Sequence, residues 1–255
     1  MSISKKLTTP RWMITHFFVL IGLIFLINLG RWQMNRLEER RAYNENVAIA
    51  LDQPITNLDG SPVEPTQFHF RHVTVSGRFD NSAGMILRNQ RSVEGQAGVD
   101  LLVPFQITDS DTAVLVNRGW IPHNNSDPSP ESRQIYDLNK PITLTGIAYP
   151  SQPQPSGFSP RDPELQPGQT RLDGWMRVDI NRIQKQVPYP LLDIYIEQIP
   201  DDPLKATELP RQDHVGVALD EGPHLSYAMQ WFTFAVILVI TYAAFVRQEV
   251  RKSVD

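Results

Sequence analysis

Two apolar stretches without a charged residue place the strongest constraint on what this chain can fold into. They are residues 13–29, MITHFFVLIGLIFLINL, and residues 227–246, YAMQWFTFAVILVITYAAFV. A hydrocarbon core about 30 Å thick is crossed by roughly 20 apolar residues of helix. Aromatic residues, which favour the membrane interface, lie at the ends of both stretches: Trp12, Trp32, Tyr227, Trp231 and Tyr242. The sequence therefore predicts transmembrane helices over 13–31 and 223–246.

Each stretch has an alternative interpretation. Lys5, Lys6 and Arg11 ahead of the first stretch would suit a cleaved signal peptide, but the apolar run is long and no small-x-small cleavage site follows it. The second stretch could be a buried helix of a soluble core, although no charge interrupts it from Leu225 to Val246. We expect both helices to be retained in a membrane.

Two spans place both termini on the same side of the membrane. Arginines follow the first span as well as precede it, so the local charge count does not decide the orientation, but long loops are translocated largely regardless of charge. We therefore expect residues 1–12 and 247–255 in the cytoplasm and 32–222 outside. The leader of about a dozen residues is not an Arg-rich transit peptide, which favours the plasma membrane of a bacterium.

The segment between the spans has a different periodicity. Residues 31–50 indicate a further helix with a weak apolar face. After it the period changes to two, since Val73, Val75, Gly77 and Phe79 alternate with polar residues, and further short apolar segments with turn signals between them are typical of strands. These segments are HVTVSGRF, GMILRNQ, GVDLLVPFQI, TAVLVNRGW, PITLTGIAYP, WMRV and LLDIYIEQI, and DINRIQKQ predicts a short helix capped by Asp179. The predicted fold class is a membrane-anchored α+β protein whose exterior domain is mainly antiparallel β, a small barrel or sandwich. We expect residues 150–169, with six prolines, to form an exposed insert that buries little.

Composition excludes several kinds of site. Lys plus Arg number 24 against 28 Asp plus Glu, and this net charge of −4 argues against a nucleic-acid partner. The absence of cysteine excludes disulfides, thiolate metal sites and cysteine nucleophiles. No nucleophile elbow, P-loop, dinucleotide fingerprint or zinc-protease motif occurs, so we do not expect an enzyme.

Most histidines do not suggest a metal site. His69 and His72 are three apart and would point to opposite faces of a strand, so they cannot chelate one ion together without a bulge. His123 and His214 are isolated and are interpreted as surface residues. His16 lies within the first span, where an ionisable residue suggests a function, although a histidine near the interface can also reach the headgroups.

The outer end of the second span carries the strongest candidate site. His224, Tyr227, Ala228 and Trp231 fall at helical positions i, i+3, i+4 and i+7, on one face. An imidazole, two aromatic rings and a small residue would suit a large flat macrocycle with iron. The alternative interpretation is an interfacial histidine within an aromatic belt.

Six segments of the chain follow one another in a recognisable order: LGRWQMNRLEER, FRHVTVSGRFD, LVPFQI, VLVNRGWIP, WMRVDINRIQKQV and HLSYAMQWFTFA. The surfeit-locus-one family has the same segments in the same order, and this chain resembles that family over roughly residues 30–250. Proteins of this family are assembly factors for haem-copper cytochrome c oxidase. The resemblance implies binding of haem a and its delivery to oxidase subunit I, with haem a synthase as a further candidate partner.

The resemblance also implies roles for individual residues. His224 would be an axial ligand of the haem iron, beside Tyr227 and Trp231, and Arg31 and Arg36 could pair with the haem propionates. Contact with lipid headgroups is the alternative for these arginines. Further matching positions are interpreted as structural or partner-facing: Gly30, Trp32, Gln33, Arg118, Gly119, Trp120 and Gln230.

The chain departs from the family pattern just before the second span. The family usually carries Asn-Asn before this histidine, and here the residues are Gly222 and Pro223. Whatever the two amides do in the family, such as orienting the imidazole through a hydrogen bond, is not implied for this chain. Two other functions stay open: a scaffold that binds oxidase subunits without a cofactor, and a membrane-anchored exterior enzyme with an unrecognised site.

Overall fold

The computed structural model describes residues 9–123, 128–157, 159–213, 216–217 and 219–252, without the side chains of 89 and 90. The α-helices within these ranges are α1 (Pro10–Leu51), α2 (Pro65–Phe68), α3 (Pro130–Arg133), α4 (Ile180–Ile183) and α5 (His224–Arg251). The strands are β1 (Thr56–Leu58), β2 (His72–Phe79), β3 (Met85–Val93), β4 (Gln96–Ile107), β5 (Ala113–Pro122), β6 (Ile142–Pro150), β7 (Gly174–Trp175) and β8 (Leu191–Gln198). The chain divides into a helical unit, Met1–Ala48 with Ala218–Asp255, and a β unit, Ile49–Val217.

The helical unit contains both predicted membrane spans. Helices α1 and α5 are each long and apolar enough to cross a membrane, and only 6% of the most apolar window of either is buried. A core helix of a soluble protein would be mostly buried, so this exposure fits a membrane protein. The predicted span 13–31 and the predicted helix 31–50 form one continuous helix of 42 residues, about 63 Å long at 1.5 Å per residue.

The β unit is built around a closed five-stranded barrel. The strands pair in the order β2–β6–β8–β5–β4, and β4 returns to β2 where Gly77 faces Ile107 and Phe79 faces Phe105. Strand β1 adds to β2, and strands β3 and β7 continue outward from β4. Two spans that bracket a mainly β domain confirm the predicted fold class.

The pairing is less uniformly antiparallel than the alternation suggests. Strands β1 and β2, β3 and β7, and β5 and β8 pair in parallel, and the remaining pairs are antiparallel. A parallel pair needs a crossover of a dozen or more residues, and the chain between β5 and β8 supplies one. Alternation within a strand carries no information about the direction of its neighbour.

Two apolar clusters stabilise the β unit. The first lies where the barrel strands face inward and includes Val75, Phe105 and Ile194, and the second includes Leu102, Trp175 and Ile183 on the other face of β4. Both faces of β4 and β5 are therefore covered. This explains why the two strands are nearly continuously apolar, since a strand buried on both faces gains nothing from polar residues.

The segments around the barrel follow the sequence only in part. The predicted helix after Asp179 is present as α4, and the Asp179 side chain accepts the N–H of Arg182 at 3.2 Å. Helix α3 follows β5 after a gap, since residues 124–127 lie outside the described residues. The described part of the insert 150–169 has no strand beyond Pro150, and it is mostly exposed. Asp162 is the exception: it is 4% exposed, and its carboxylate accepts the backbone N–H of Met176.

Candidate functional site at the paired helices

Helices α1 and α5 form an antiparallel pair. Contacts run from His16 with Tyr242 at one end to Arg41 with Glu221 at the other, so residue numbers rise along one helix as they fall along its partner. The buried positions of α1 include Gly30, Gln33 and Leu37, and those of α5 are Ala228 and Ala235. These positions are three, four or seven residues apart, so they form one narrow strip along which the two helices pack, here called the seam. Small residues in the seam allow close approach, since a Cβ at Gly30 would collide with the ring of Phe232.

His224, the first residue of α5, is hydrogen-bonded to α1. Its Nδ1 lies 2.9 Å from Oε1 of Gln33, whose side chain is buried at 9% exposure. An amide oxygen only accepts, so Nδ1 donates, and the neutral ring keeps its lone pair on Nε2. Within the described part of the chain, no residue makes a hydrogen bond to Nε2. The arrangement leaves one imidazole nitrogen available to a metal.

The predicted stripe on α5 divides between the seam and the surface. Ala228 is fully buried, so the expectation that it admits a ligand ring is wrong: it lies in the seam and lets the helices approach. Tyr227 is 46% exposed, and Trp231 is half-buried at the edge of the seam. The structure therefore leaves His224, Tyr227 and Trp231 accessible from one side of the helix pair.

The two arginines occupy different faces of α1. At 100° per residue, Arg36 lies about 60° around the helix from Gln33, and Arg31 lies about 160° away. Both arginines are exposed, and Arg36 Nη1 pairs with Glu39 Oε2 at 2.6 Å. The structure thus brings Arg36, and not Arg31, to the side of α1 that borders His224.

Two other predicted motif residues of this unit are exposed. Trp32 is 54% exposed on α1. Gln230 is exposed on α5, and its amide donates to the Ser226 hydroxyl at 3.4 Å. Neither side chain packs in the seam, so both are available to lipid or to a partner.

The backbone just before α5 is held by side chains of α1. Arg41 forms two hydrogen bonds with the Glu221 carboxylate, at 2.7 and 2.9 Å, and this bond lowers the pKa of Glu221. Asn44 donates to the carbonyl of Asp220 at 3.0 Å. Gly222 has φ +67°, a conformation that favours glycine, and its N–H donates to the Asp220 carboxylate. Arg41 therefore pairs with the segment that leads into His224.

The opposite end of the pair holds a second histidine. His16 Nδ1 is hydrogen-bonded to the Tyr242 hydroxyl, and the ring of Trp12 lies 5.7 Å from His16 and 5.6 Å from Phe245. From His224 to Tyr242 is a step of 18 residues (242 − 224), or about 27 Å of helix. The two histidines therefore lie at opposite ends of a span about as long as a hydrocarbon core is thick.

Arg118, Gly119 and Trp120 of β5 are buried and closely packed. Gly119 has φ +116°, and a Cβ there would collide with the carbonyl of Arg211. Trp120 is 3% exposed; its backbone exchanges hydrogen bonds of 2.9 and 2.8 Å with Arg211, and its indole N–H donates to the carbonyl of Arg91. Arg118 is 4% exposed, and sequence reasoning gave no sign of this burial.

The remaining histidines form no metal site in the part of the chain that the structure describes. His69 precedes β2, which begins at His72, so the premise that both lie in a strand is wrong. The His69 ring stacks on Phe70 with centroids 3.7 Å apart, and burial lowers its pKa. No group of three metal-ligating side chains occurs among the described residues. His214 lies outside them.

Comparison with known proteins gives consistent matches over most of the chain. The model of the SURF1 family matches residues 20–236. A SURF1-like protein of Rickettsia bellii is 28% identical over 238 residues, which is 91% of this chain and 91% of the relative. An uncharacterized SURF1-like protein of Mycobacterium tuberculosis is 26% identical over 88% of this chain and 78% of its own length, and a SURF1-like protein of Caenorhabditis elegans is 25% identical over 94% and 75%.

Proposed function

Because the chain belongs to the SURF1 family, we propose that it binds haem a at the outer end of its helix pair and assists insertion of that haem into subunit I of a haem-copper cytochrome c oxidase. The family is generally known for oxidase assembly and is not a family of enzymes. Membrane helices suit this role, because subunit I and the hydrophobic cofactor are both found in the bilayer.

The hydrogen bond between His224 and Gln33 is the observation that carries the proposal. When bound, haem would supply a redox-active iron that a neutral imidazole nitrogen can ligate. Histidines that ligate metals almost always donate their second ring N–H to an oxygen acceptor, which fixes the tautomer and the ring orientation. Gln33 provides this acceptor, so Nε2 of His224 is the nitrogen that would bind iron. The orienting role that the Asn-Asn pair would have is thereby assigned to a residue of α1.

The neighbours of His224 suit a flat anionic macrocycle. Trp231 follows seven residues later, about 10.5 Å along the axis, which is close to the width of a porphyrin. Because α1 and α5 are antiparallel, two residues that are the same number of positions after the facing residues Gln33 and His224 lie on the same side of the helix pair. Arg36 at about 60° from Gln33 and Tyr227 at about 60° from His224 are therefore on one side of the pair.

Arg36 is the arginine that we assign to a haem propionate. Its ion pair with Glu39 is exposed, and exposed pairs contribute little free energy, so the guanidinium can exchange partners. Arg31, on the far face of α1, is assigned to a lipid headgroup instead.

We further propose that the protein lies in the plasma membrane of a bacterium, with both termini in the cytoplasm and the β unit outside. The length of the intervening segment supports its translocation across the membrane. There the β unit would meet oxidase subunit I and haem a synthase. A reporter that is active only in the cytoplasm should work after Asp255 and fail when inserted at 124–126; the reverse result would contradict this orientation.

The absorption spectrum of the purified protein tests the haem assignment. The chain is coexpressed with haem a synthesis enzymes, and we expect a Soret band that His224→Ala abolishes at a normal membrane level. Gln33→Leu should lower haem affinity by about 10–100-fold, the usual effect of removing a hydrogen bond to a metal-ligating histidine. His16→Ala is the matched control, because it removes the histidine at the other end of the same helix pair.

Retention of the full Soret band by His224→Ala would show that the ligand assignment is wrong. If the unaltered protein has no Soret band but copurifies with subunit I, the scaffold function would replace the haem-binding one.

A further inference from the structure

The β unit contains a cavity of about 410 Å³ beside Arg118. This volume falls within the range of about 300–1,000 Å³ that is usual for small-ligand sites. The lining includes the apolar side chains of Phe79 and Val103, two arginines, Arg118 and Arg133, and two carboxylates, Asp80 and Asp137. The cavity thus combines an apolar wall with charged groups.

Arg118 is a buried cation that makes no direct ion pair among the described residues, although the more distant charge of Asp137 raises its pKa against the effect of burial. It is 4% exposed, its Cζ lies 4.6 Å from the centre of the Phe79 ring, and its Nη1 donates to the carbonyl of Tyr136 at 2.7 Å. Within the described chain this is its only side-chain hydrogen bond, and no carboxylate lies within 4.0 Å. Burial lowers its pKa to about 10, so the guanidinium keeps its charge at neutral pH. The other four of the five donors of the guanidinium make no hydrogen bond within the described chain.

Arg133 adds a second buried guanidinium. It is 5% exposed, and its Nη2 donates to Asp173 at 2.8 Å. Its Nη1 is buried and has no hydrogen-bond partner in the part of the chain described. A buried donor without an acceptor is destabilising, so a small shift of the side chain that brought Nη1 to an oxygen ligand would remove that cost.

The two carboxylates of the lining limit the charge of the ligand. Asp80 accepts from the hydroxyls of Ser82 at 2.6 Å and Tyr189 at 2.7 Å, so it is already satisfied. Burial would raise the pKa of Asp80, but these hydrogen bonds outweigh it and hold the pKa below its ordinary value. Asp137 is exposed at the rim. Asp80 and Asp137 in the lining, and Asp173 paired with Arg133, offset the two arginines, so a singly charged ligand fits better than a doubly charged phosphate.

We propose that this cavity is a binding site for a carboxylate group, held by the guanidinium groups of Arg118 and Arg133. Arginine matches the planar geometry of a carboxylate with two parallel hydrogen bonds. The group can belong to a free small acid or to the end of a polypeptide, and the apolar wall at Phe79 accommodates the carbon next to the carboxylate in either case.

Calorimetric titration of the full-length protein in detergent tests the site. The probes are sodium propionate, sodium phosphate, and N-acetyl-Ala-Ala-Ala with a free or an amidated C-terminus. We expect binding of propionate and of the free-acid peptide, with the amidated peptide and phosphate at least tenfold weaker. A free-acid peptide at least tenfold tighter than propionate would identify a polypeptide as the source, and a smaller difference would identify a small acid. Absence of binding by both acids, or equal binding of the amide, would overturn the proposal.

Arg118→Met keeps an unbranched apolar stem beside Phe79 and removes the charge. We expect at least a tenfold loss of propionate affinity, because the guanidinium that would bind the carboxylate is removed. Unchanged affinity would overturn the proposal. Asp137→Asn is a second variant, which tests the site even if Arg118→Met does not fold, because position 137 is exposed. Removing the negative charge beside the cavity should tighten propionate binding about two- to fivefold. Weaker propionate binding would contradict the site. Arg161→Gln, exposed and outside the lining, is the control for the loss of one positive charge.

Discussion

Replacing Trp120 by alanine removes the largest side chain of β5. Trp120 is 3% exposed, and its indole N–H donates to the carbonyl of Arg91 at 3.1 Å. Buried Trp→Ala substitutions cost about 3–5 kcal/mol, of which the lost hydrogen bond accounts for about 1 kcal/mol. For a unit of this size, 1 kcal/mol shifts the melting temperature by about 2–4 °C, so the expected decrease is about 6–20 °C.

Temperature-dependent proteolysis of the detergent-solubilised protein measures this decrease, because cleavage sites in the β unit become accessible when that unit unfolds. Trp120→Phe should show a smaller decrease, since a phenyl ring fills most of the space but cannot donate. Trp32→Ala is the matched control: that indole is 54% exposed on α1, and exposed substitutions usually change stability by less than about 0.5 kcal/mol.

If Trp120→Ala and Trp32→Ala have the same melting temperature, the argument from the burial of Trp120 is refuted. If that variant also loses copurification with the oxidase, Trp120 contacts the partner instead of supporting the barrel.

Three further substitutions test other parts of the structure. Gly30→Ala should weaken haem binding several-fold, because the added Cβ would collide with Phe232. Gly22→Ala is the control: its Cβ would make only ordinary contacts, so the haem spectrum should not change. Equal effects of the two substitutions would contradict the close packing of α1 against α5 at Gly30. Asp80→Asn should lower the melting temperature at pH 7, because the Asp80 carboxyl has a lowered pKa in the folded protein and stabilises it above the pKa of the unfolded chain. The variant should also lose less stability than the unaltered protein below about pH 4, where this contribution disappears as the carboxyl is protonated. If the melting temperatures of the two proteins change with pH in parallel, the lowered pKa of Asp80 is contradicted. Asp162→Ala should cost about 1–3 kcal/mol in a denaturant titration, since a buried backbone N–H loses its acceptor, and an unchanged midpoint would show that the insert is not anchored there.

The sequence predicts those parts of the fold that depend on local periodicity. Both spans and the main barrel strands follow from apolar runs and alternation. The parallel pairing of β5 with β8 does not, because it depends on where a long crossover returns. The anchoring of Asp162 is equally hidden, since a proline-rich segment is normally exposed and the acceptor role depends on Met176 from another part of the chain.

The candidate site also has a part that the local sequence predicts and a part that depends on distant residues. Spacing along one helix identifies His224 with Tyr227 and Trp231. Gln33 is 191 residues away from His224 in sequence, and only the antiparallel register of α1 and α5 brings the amide to the imidazole. The burial of Arg118 is also unpredictable from the sequence, because arginine in a strand usually extends into solvent.

The hydrogen bonds at the two ends of the helix pair make bilayer thickness a determinant of its stability. Gln33 with His224 and His16 with Tyr242 are separated by about 27 Å of helix, so both polar pairs lie at the hydrocarbon boundary only when the core has about that thickness. In a thicker bilayer, at least one pair would enter hydrocarbon unless the lipid thins locally, and sliding the helices by one turn would break both bonds together. Hydrophobic mismatch of this kind sorts proteins among membranes, so reconstitution in lipids of increasing chain length should give a distinct optimum for the integrity of the helix pair.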